Sequence, residues 1–144
     1  MYITQVLKES DELVDAFSRL IPQVSQRKPP SLADLRELIG SQVILLVARF
    51  PDQSGPIVGT GSLAYFRVPT GMRGHIEDVV VDQSVRGNGI GEALVDALIT
   101  SAREIGVESL LLTCNPTRQA ANRLYQKLGF KKRETNVYSL DLRV

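Results

Sequence analysis

Two adjacent carboxylates inside an apolar run, with a glycine-rich turn a few residues later, are the residues of this chain best placed to do chemistry. Glu77 and Asp78 interrupt the series Ile76, Val79, Val80 and Val81, whose stiff branched side chains suit a strand. The chain then turns through Arg86-Gly87-Asn88-Gly89-Ile90-Gly91 into an amphipathic helix. Strand, glycine turn and helix together present backbone N–H groups to an anion at a helix N-terminus. A guanidinium beside such a row of donors suits a pyrophosphate, so Arg86 favours a phosphate cradle over a ligand-free turn. The turn is not the dinucleotide fingerprint, because the third glycine of G-x-G-x-x-G would fall on Glu92, and no Lys-Ser/Thr pair makes it a P-loop. A carboxylate can take the proton from an ammonium and free its lone pair. Burial or a like-charged neighbour raises the affinity of one member of a carboxylate pair for that proton. Strand alternation places Glu77 and Asp78 on opposite faces unless a bulge intervenes.

The elements that must position these groups follow from size and pattern. At 144 residues with 43% hydrophobic and 23% charged content, the chain reads as one α/β domain over residues 1–144. A net charge of +1 gives no field that argues for a nucleic acid. No apolar run approaches the ~20 residues of a membrane span, and the N-terminus lacks the basic and apolar regions of a signal peptide. One cysteine and one histidine argue against a disulfide framework or a zinc site and fit a reducing, cytoplasmic setting.

A short strand is expected over 2–7. Ser10 caps a first helix with Leu13, Phe17, Leu20, Ile21 and Val24 on one face, which Pro22 kinks or ends. Residues 26–30, Gln-Arg-Lys-Pro-Pro, form a loop. Ser31 with Asp34 makes a capping box for a second helix that stops at Gly40. Strands follow at 42–50, 57–67 and 73–82, with Gly59 and Gly61 marking a bulge or a close backbone approach. After the turn, Ile90, Leu94, Leu98, Ala102 and Ile105 make a helical stripe ending at Gly106. A buried strand over 107–114, a helix over 118–128 capped by Thr117, and two strands at 130–134 and 136–142 complete the order. The sheet is mixed and mostly antiparallel, with one right-handed crossover at 76–114.

The run Val79–Asp82, the turn Arg86–Gly91 and the later Asn122-Arg-Leu-Tyr-Gln-Lys-Leu-Gly-Phe130 together resemble the GNAT superfamily of acetyl-CoA-dependent N-acetyltransferases, and the order of elements agrees along the whole chain. The resemblance implies that Arg86, Gly87, Asn88, Gly89, Ile90 and Gly91 hold the pyrophosphate of coenzyme A. It implies that the pantetheine arm pairs with the backbone of Val79, Val80 and Val81, in a gap where the strands at 74–82 and 107–114 splay apart. Asn122 and Tyr125 then lie near the arm and its sulfur. Many family members carry Asn where this chain has Arg118, which leaves Asn115 and Asn122 both as cofactor candidates. Residues 74–81 are similar to the glucosamine-6-phosphate N-acetyltransferase branch, which implies Glu77 as base and Asp78 as a holder of the amine or of a nearby loop. Tyr125 is the acid candidate: a phenol near ~10 giving its proton to a thiolate near ~8.5 is uphill by only about 2 kcal/mol. No metal is implied.

The expected reaction is direct transfer from acetyl-CoA to a primary amine of a small molecule in a ternary complex. The acceptor is of amino-sugar, amino-acid or polyamine type, lined by residues near 67–73 and 135–138. The alternatives are a protein N-terminal or lysine acetyltransferase and an inactive CoA-binding module. The family also implies a homodimer through the C-terminal strands. Cys114 reads as core rather than nucleophile, since no histidine neighbours it in sequence. His75 reads as structural. Lys127, Lys131, Lys132 and Arg133 read as a solvated face or a seat for the 3′-phosphate of coenzyme A.

Overall fold

The computed structural model describes residues 1–143, in two compact units, Met1–Thr113 and a second beginning at Cys114. The first unit is a five-stranded sheet in the order β1-β2-β3-β4-β5. Strands β1 (Tyr2–Gln5), β2 (Val43–Arg49), β3 (Ile57–Val68) and β4 (Gly71–Val81) form an antiparallel series, and β5 (Ser109–Leu111) joins β4 in parallel. Three helices belong to this unit: α1 (Asp11–Leu20), α2 (Leu32–Ile39) and α3 (Ile90–Ile105).

The helix starts form as their side chains dictate. Ser10 accepts the Leu13 N–H at 3.1 Å, with Asp11 and Glu12 in the first turn, where negative charge suits the helix dipole. Ser31 and Asp34 exchange both bonds of a capping box. Pro22 ends α1 at Leu20 and turns the continuation into a 3-10 turn over Ile21–Gln23. Gly106 closes α3 at φ +96, a left-handed position natural to glycine.

Strand alternation assigns the two faces of the sheet. Leu45 and Val47 pack with Leu13, Phe17 and Leu20 of α1 and with Leu35 of α2. Facing the other way, a Cβ on Gly59 would stand 3.1 Å from Leu94, and one on Gly61 3.1 Å from Leu98. The two glycines therefore let α3 approach the sheet more closely than any side chain would allow. Leu94, Val95 and Leu98 are fully buried in that contact. Each contributes on the order of 1.5–3 kcal/mol through burial.

In the second unit, α4 runs from Gln119 to Lys127 and its chain reverses at Gly129, φ +100. The Phe130 N–H donates to the Tyr125 carbonyl, and the two rings meet edge-to-face at 5.9 Å.

Three expectations from sequence are corrected. The strand expected over 107–114 is ordered as β5 only at Ser109–Leu111 and is half exposed, as suits the last strand of a sheet order. Cys114 accordingly lies outside it and is half-buried. Thr117 does not cap α4: Arg118 holds the cap position, and the Thr117 hydroxyl donates to Asn115 Oδ1 at 2.8 Å. The strands expected at 130–134 and 136–142 do not form, and Val137, Tyr138, Leu140 and Leu142 are exposed by 72%, 88%, 82% and 84%. Alternation supplies a strand's face, but a ladder needs a partner to take its backbone groups, and an isolated pair is marginal in water.

Candidate active site

Strand β4 carries a bulge near its C-terminal end and leaves through an irregular turn, and the site is built from these two features. Its register against β3 runs from Gly71 opposite Val68 to Glu77 opposite Ser62, then resumes with Val80 opposite Thr60. Asp78 and Val79 thus share one partner position, which is a β-bulge. Asp78 takes φ +52, and among the described residues it is the one non-glycine residue with positive φ. Aspartate tolerates that left-handed conformation better than most side chains. The Ser62 hydroxyl donates to the Glu77 carbonyl at 3.0 Å and fixes the start of the bulge. Both carboxylates are exposed, and among the described residues neither has a hydrogen-bond or ion-pair partner.

Asp78 borders a cavity of about 500 Å³. Phe17 and Ile21 at the end of α1 form one apolar side of it, with Leu38 of α2 and Leu45 of β2. Thr60 and Ser62 of β3 supply hydroxyls, and the loop between α1 and α2 contributes Arg27 and Lys28. Glu77 does not line this cavity, nor do residues 67–73. Arg73 instead donates to the Thr70 hydroxyl at 2.9 Å within its own turn. Thr60 is 2% exposed and donates to the Leu46 carbonyl.

On its other side, β4 pairs with β5 only at Arg73, Gly74 and His75. From Ile76 to Val81, β3 is the sole ladder partner among the described residues. The backbone of Val79, Val80 and Val81 therefore has an open edge. His75 sits edge-to-face with Phe66 at 5.3 Å, as a packing residue does.

The second irregularity is the turn. Gly87 and Gly89 take φ +87 and +76, and a Cβ on either would meet nothing within 4 Å. Open space lies over both. Gly89 holds the N-cap of α3 with no capping side chain, which leaves the first turn of a 16-residue helix available to an anion. Arg86 folds back: its Nε donates to the Val81 carbonyl at 3.0 Å and an Nη to Gln23 Oε1 at 3.4 Å. Asn88 donates to the Val85 carbonyl at 2.7 Å. These two side chains brace the turn, and Gln23 also accepts the Gln83 N–H, tying the turn to the end of α1.

In the second unit, Asn115 Oδ1 accepts from the N–H and hydroxyl of Thr117, while Asn122 Nδ2 donates to the carbonyls of Asn115 and Arg118 at 3.0 and 2.8 Å. Both asparagines thus shape the approach to α4. Tyr125 is 9% exposed. Burial pushes its phenol above the ordinary 10.0, a smaller pull from Arg118 opposing and Cys114 adding to that effect. Among the described residues no group of three or more His, Cys, Asp or Glu could hold a metal, and no helix is long and apolar enough to cross a membrane.

Sequence reasoning placed the carboxylates, the valines and the glycine turn on one strand and its exit, which the fold brings together. It missed Arg27, Lys28, Thr60 and Ser62. A basic pair ahead of Pro29-Pro30, between two helices that pack on one sheet face, was the signal available for the loop.

The family model described as Acetyltransferase (GNAT) family matches residues 11–130. The chain is 34% identical over 147 residues to a glucosamine 6-phosphate N-acetyltransferase of Trypanosoma brucei brucei, across 96% of this chain and 94% of the relative. It is 39% identical over 102 residues to a probable glucosamine 6-phosphate N-acetyltransferase of Oryza sativa subsp. japonica, across 68% of this chain and 59% of that protein. In structure it is similar to a Trypanosoma brucei acetyltransferase, with a TM-score of 0.77 at 28% identity over 98% of this chain and 99% of that one.

Proposed function

The chain belongs to the acetyltransferase (GNAT) family, and on that premise we propose that it moves the acetyl group of acetyl-CoA to a primary amine of a small molecule by direct attack. The observation that carries this reading is the single strand β4, bulged at a carboxylate pair beside a cavity and leaving through an uncapped glycine turn. The family match crosses from the first unit into the second, which supports treating residues 1–144 as one acetyltransferase domain.

Acetyl-CoA, the co-substrate of this family, supplies an acetyl group activated as a thioester. The residues present fit it. The open N-terminus of α3 and the clear space over Gly87 and Gly89 suit the pyrophosphate, with Arg86 and Asn88 holding the turn in shape. The unpaired edge of Val79, Val80 and Val81 suits an arm carrying amide groups. Asn115 and Asn122 shape the segment before α4, and their part in cofactor binding rests on the resemblance.

Asp78 on the cavity wall holds the incoming ammonium, and Glu77 takes its proton directly or through water. Tyr125 is the proton donor to the departing thiolate. Burial raises the phenol above its ordinary value, which makes complete transfer harder, so its part is a hydrogen bond to the developing charge. Glucosamine 6-phosphate, the substrate in the names of two relatives, heads the acceptors to be tested. A homodimer and a cytoplasmic setting complete the proposal on family resemblance and cysteine usage.

A thiol-release assay over a panel of amines tests the reaction. Turnover is expected with at least one small amine, and CoA binding without turnover on any would reduce the protein to a binding module. Glu77→Gln should lower kcat by about 10²-fold or more and remove the acidic limb of the pH–rate profile. An unchanged limb would move the base to Asp78 or to a water chain.

A further inference from the structure

The charged residues around the cavity are not equally available. Asp34 is committed to the capping box: its carboxylate accepts the Ser31 N–H at 2.9 Å, and that bond, with a smaller pull from the charge of Lys28, holds it below the ordinary aspartate range. Asp78, on the bulge of β4, has no such partner. Arg27 and Lys28, on the loop between α1 and α2, also line the cavity, and among the described residues neither side chain is in a hydrogen bond or a salt bridge. The cavity therefore has a carboxylate to offer from the sheet and two cations to offer from the loop.

A simple amine, itself a cation, gains at Asp78 and loses at Arg27 and Lys28. A molecule with an ammonium at one end and an acidic group at the other gains at both. We infer that the acceptor is such an acidic amine, with its amino group at Asp78 and its phosphate or carboxylate gripped by Arg27 and Lys28. This assignment rests on the amine acetyltransferase function proposed above and adds the residues that set its specificity.

Three further features support it. The loop is partly pre-shaped, because Ser25 Oγ accepts the Arg27 N–H at 3.0 Å, Pro29 restricts the backbone of Lys28, and Pro30 fixes its own φ. Less ordering is then lost when the anion binds. The hydroxyls of Thr60 and Ser62 donate into the sheet, so their free lone pairs accept from a hydroxylated or amine-bearing substrate. A volume of about 500 Å³ falls within the ordinary range for small-molecule sites.

The test compares matched acceptors that differ only in the acidic group: glucosamine 6-phosphate against glucosamine, and an amino acid against its amide. The wild type should prefer an acidic member by kcat/KM. That preference should fall about 10- to 150-fold in the double variant Arg27→Gln/Lys28→Gln, the range of a lost charged hydrogen bond. Arg27→Lys with Lys28→Arg should keep most of it. The phosphate and carboxylate pairs report separately which acid is held. Equal use of acidic and neutral members by the wild type, or a preference that survives the double variant, overturns the inference while leaving the acetyltransferase function standing. Calorimetric titration with glucosamine 6-phosphate and with the amino acid separates the opposite case. If no amine is turned over, yet the wild type binds an acidic amine and the double variant does not, the anion grip holds and the reaction falls. Binding of neither overturns the grip as well.

Discussion

The bulge near the C-terminal end of β4 and the glycine turn beyond it reach the same backbone region by different means. At the turn, Gly87 and Gly89 hold positive φ at no steric cost, with open space where a Cβ would stand. At the bulge, Asp78 holds positive φ with a side chain attached, which for most residues costs on the order of 1–2 kcal/mol. The turn needs its backbone bare, because N–H groups are what it offers. The bulge needs its side chain, because a carboxylate on the cavity wall is what it offers. A glycine at residue 78 would relax the backbone and remove the chemistry. The contrast separates a site that uses absence of a side chain from one that tolerates strain to keep one.

Substitutions at the bulge and at the turn test that contrast. Asp78→Asn keeps a side chain that tolerates the left-handed region and removes only the charge. It should lower kcat/KM for the acceptor by about 10- to 150-fold, for a charged hydrogen bond of ~1.5–3 kcal/mol, with an unchanged thermal midpoint. A lowered midpoint at full activity would make the residue purely structural. Gly89→Ala should cost about 1–2 kcal/mol in denaturant unfolding and raise KM for acetyl-CoA. Gly106→Ala, at φ +96 with equal open space, should cost the same stability without moving that KM. If the two variants bind acetyl-CoA alike, the turn is no cradle.

The smallest effect lies away from both features. Arg49 and Glu12 pair through two bonds of 2.8 and 2.7 Å, and the Arg49 hydrogen bond holds the Glu12 carboxyl below its ordinary 4.5. A lowered carboxylate value means stability that is present above 4.5 and lost as pH falls through the folded value. Glu12→Gln should cost about 0.5 kcal/mol near pH 7 because the pair is solvent-exposed. It should cost nothing in acid and leave the kinetics unchanged. A pH-independent loss would point to packing instead.

Much of the frame was legible in the chain. Ser10 and Ser31 mark helix starts through bonds to residues three positions on, Gly106 marks a helix end, and Gly59 and Gly61 mark where α3 lies close. Each of these signals acts over a single turn or a fixed strand period, so a local pattern suffices. The family resemblance was legible for a similar reason, since the glycine turn and the Asn122–Phe130 run are continuous segments.

Other features could not be read in that way. The Asp78 bulge is a mismatch of register between β3 and β4, and register is a property of two strands rather than of either sequence. The run at 136–142 alternates like a strand, yet exposes Val137 and Leu140, because alternation does not create a partner. Arg27 and Lys28, exposed on their loop, line a cavity only because α1, α2, β3 and β4 meet beside it. Neighbours along the chain suffice for the helices, the glycine turn and the family. Which carboxylate and which cations line the cavity is settled by the fold, because those positions depend on contacts between residues far apart in sequence.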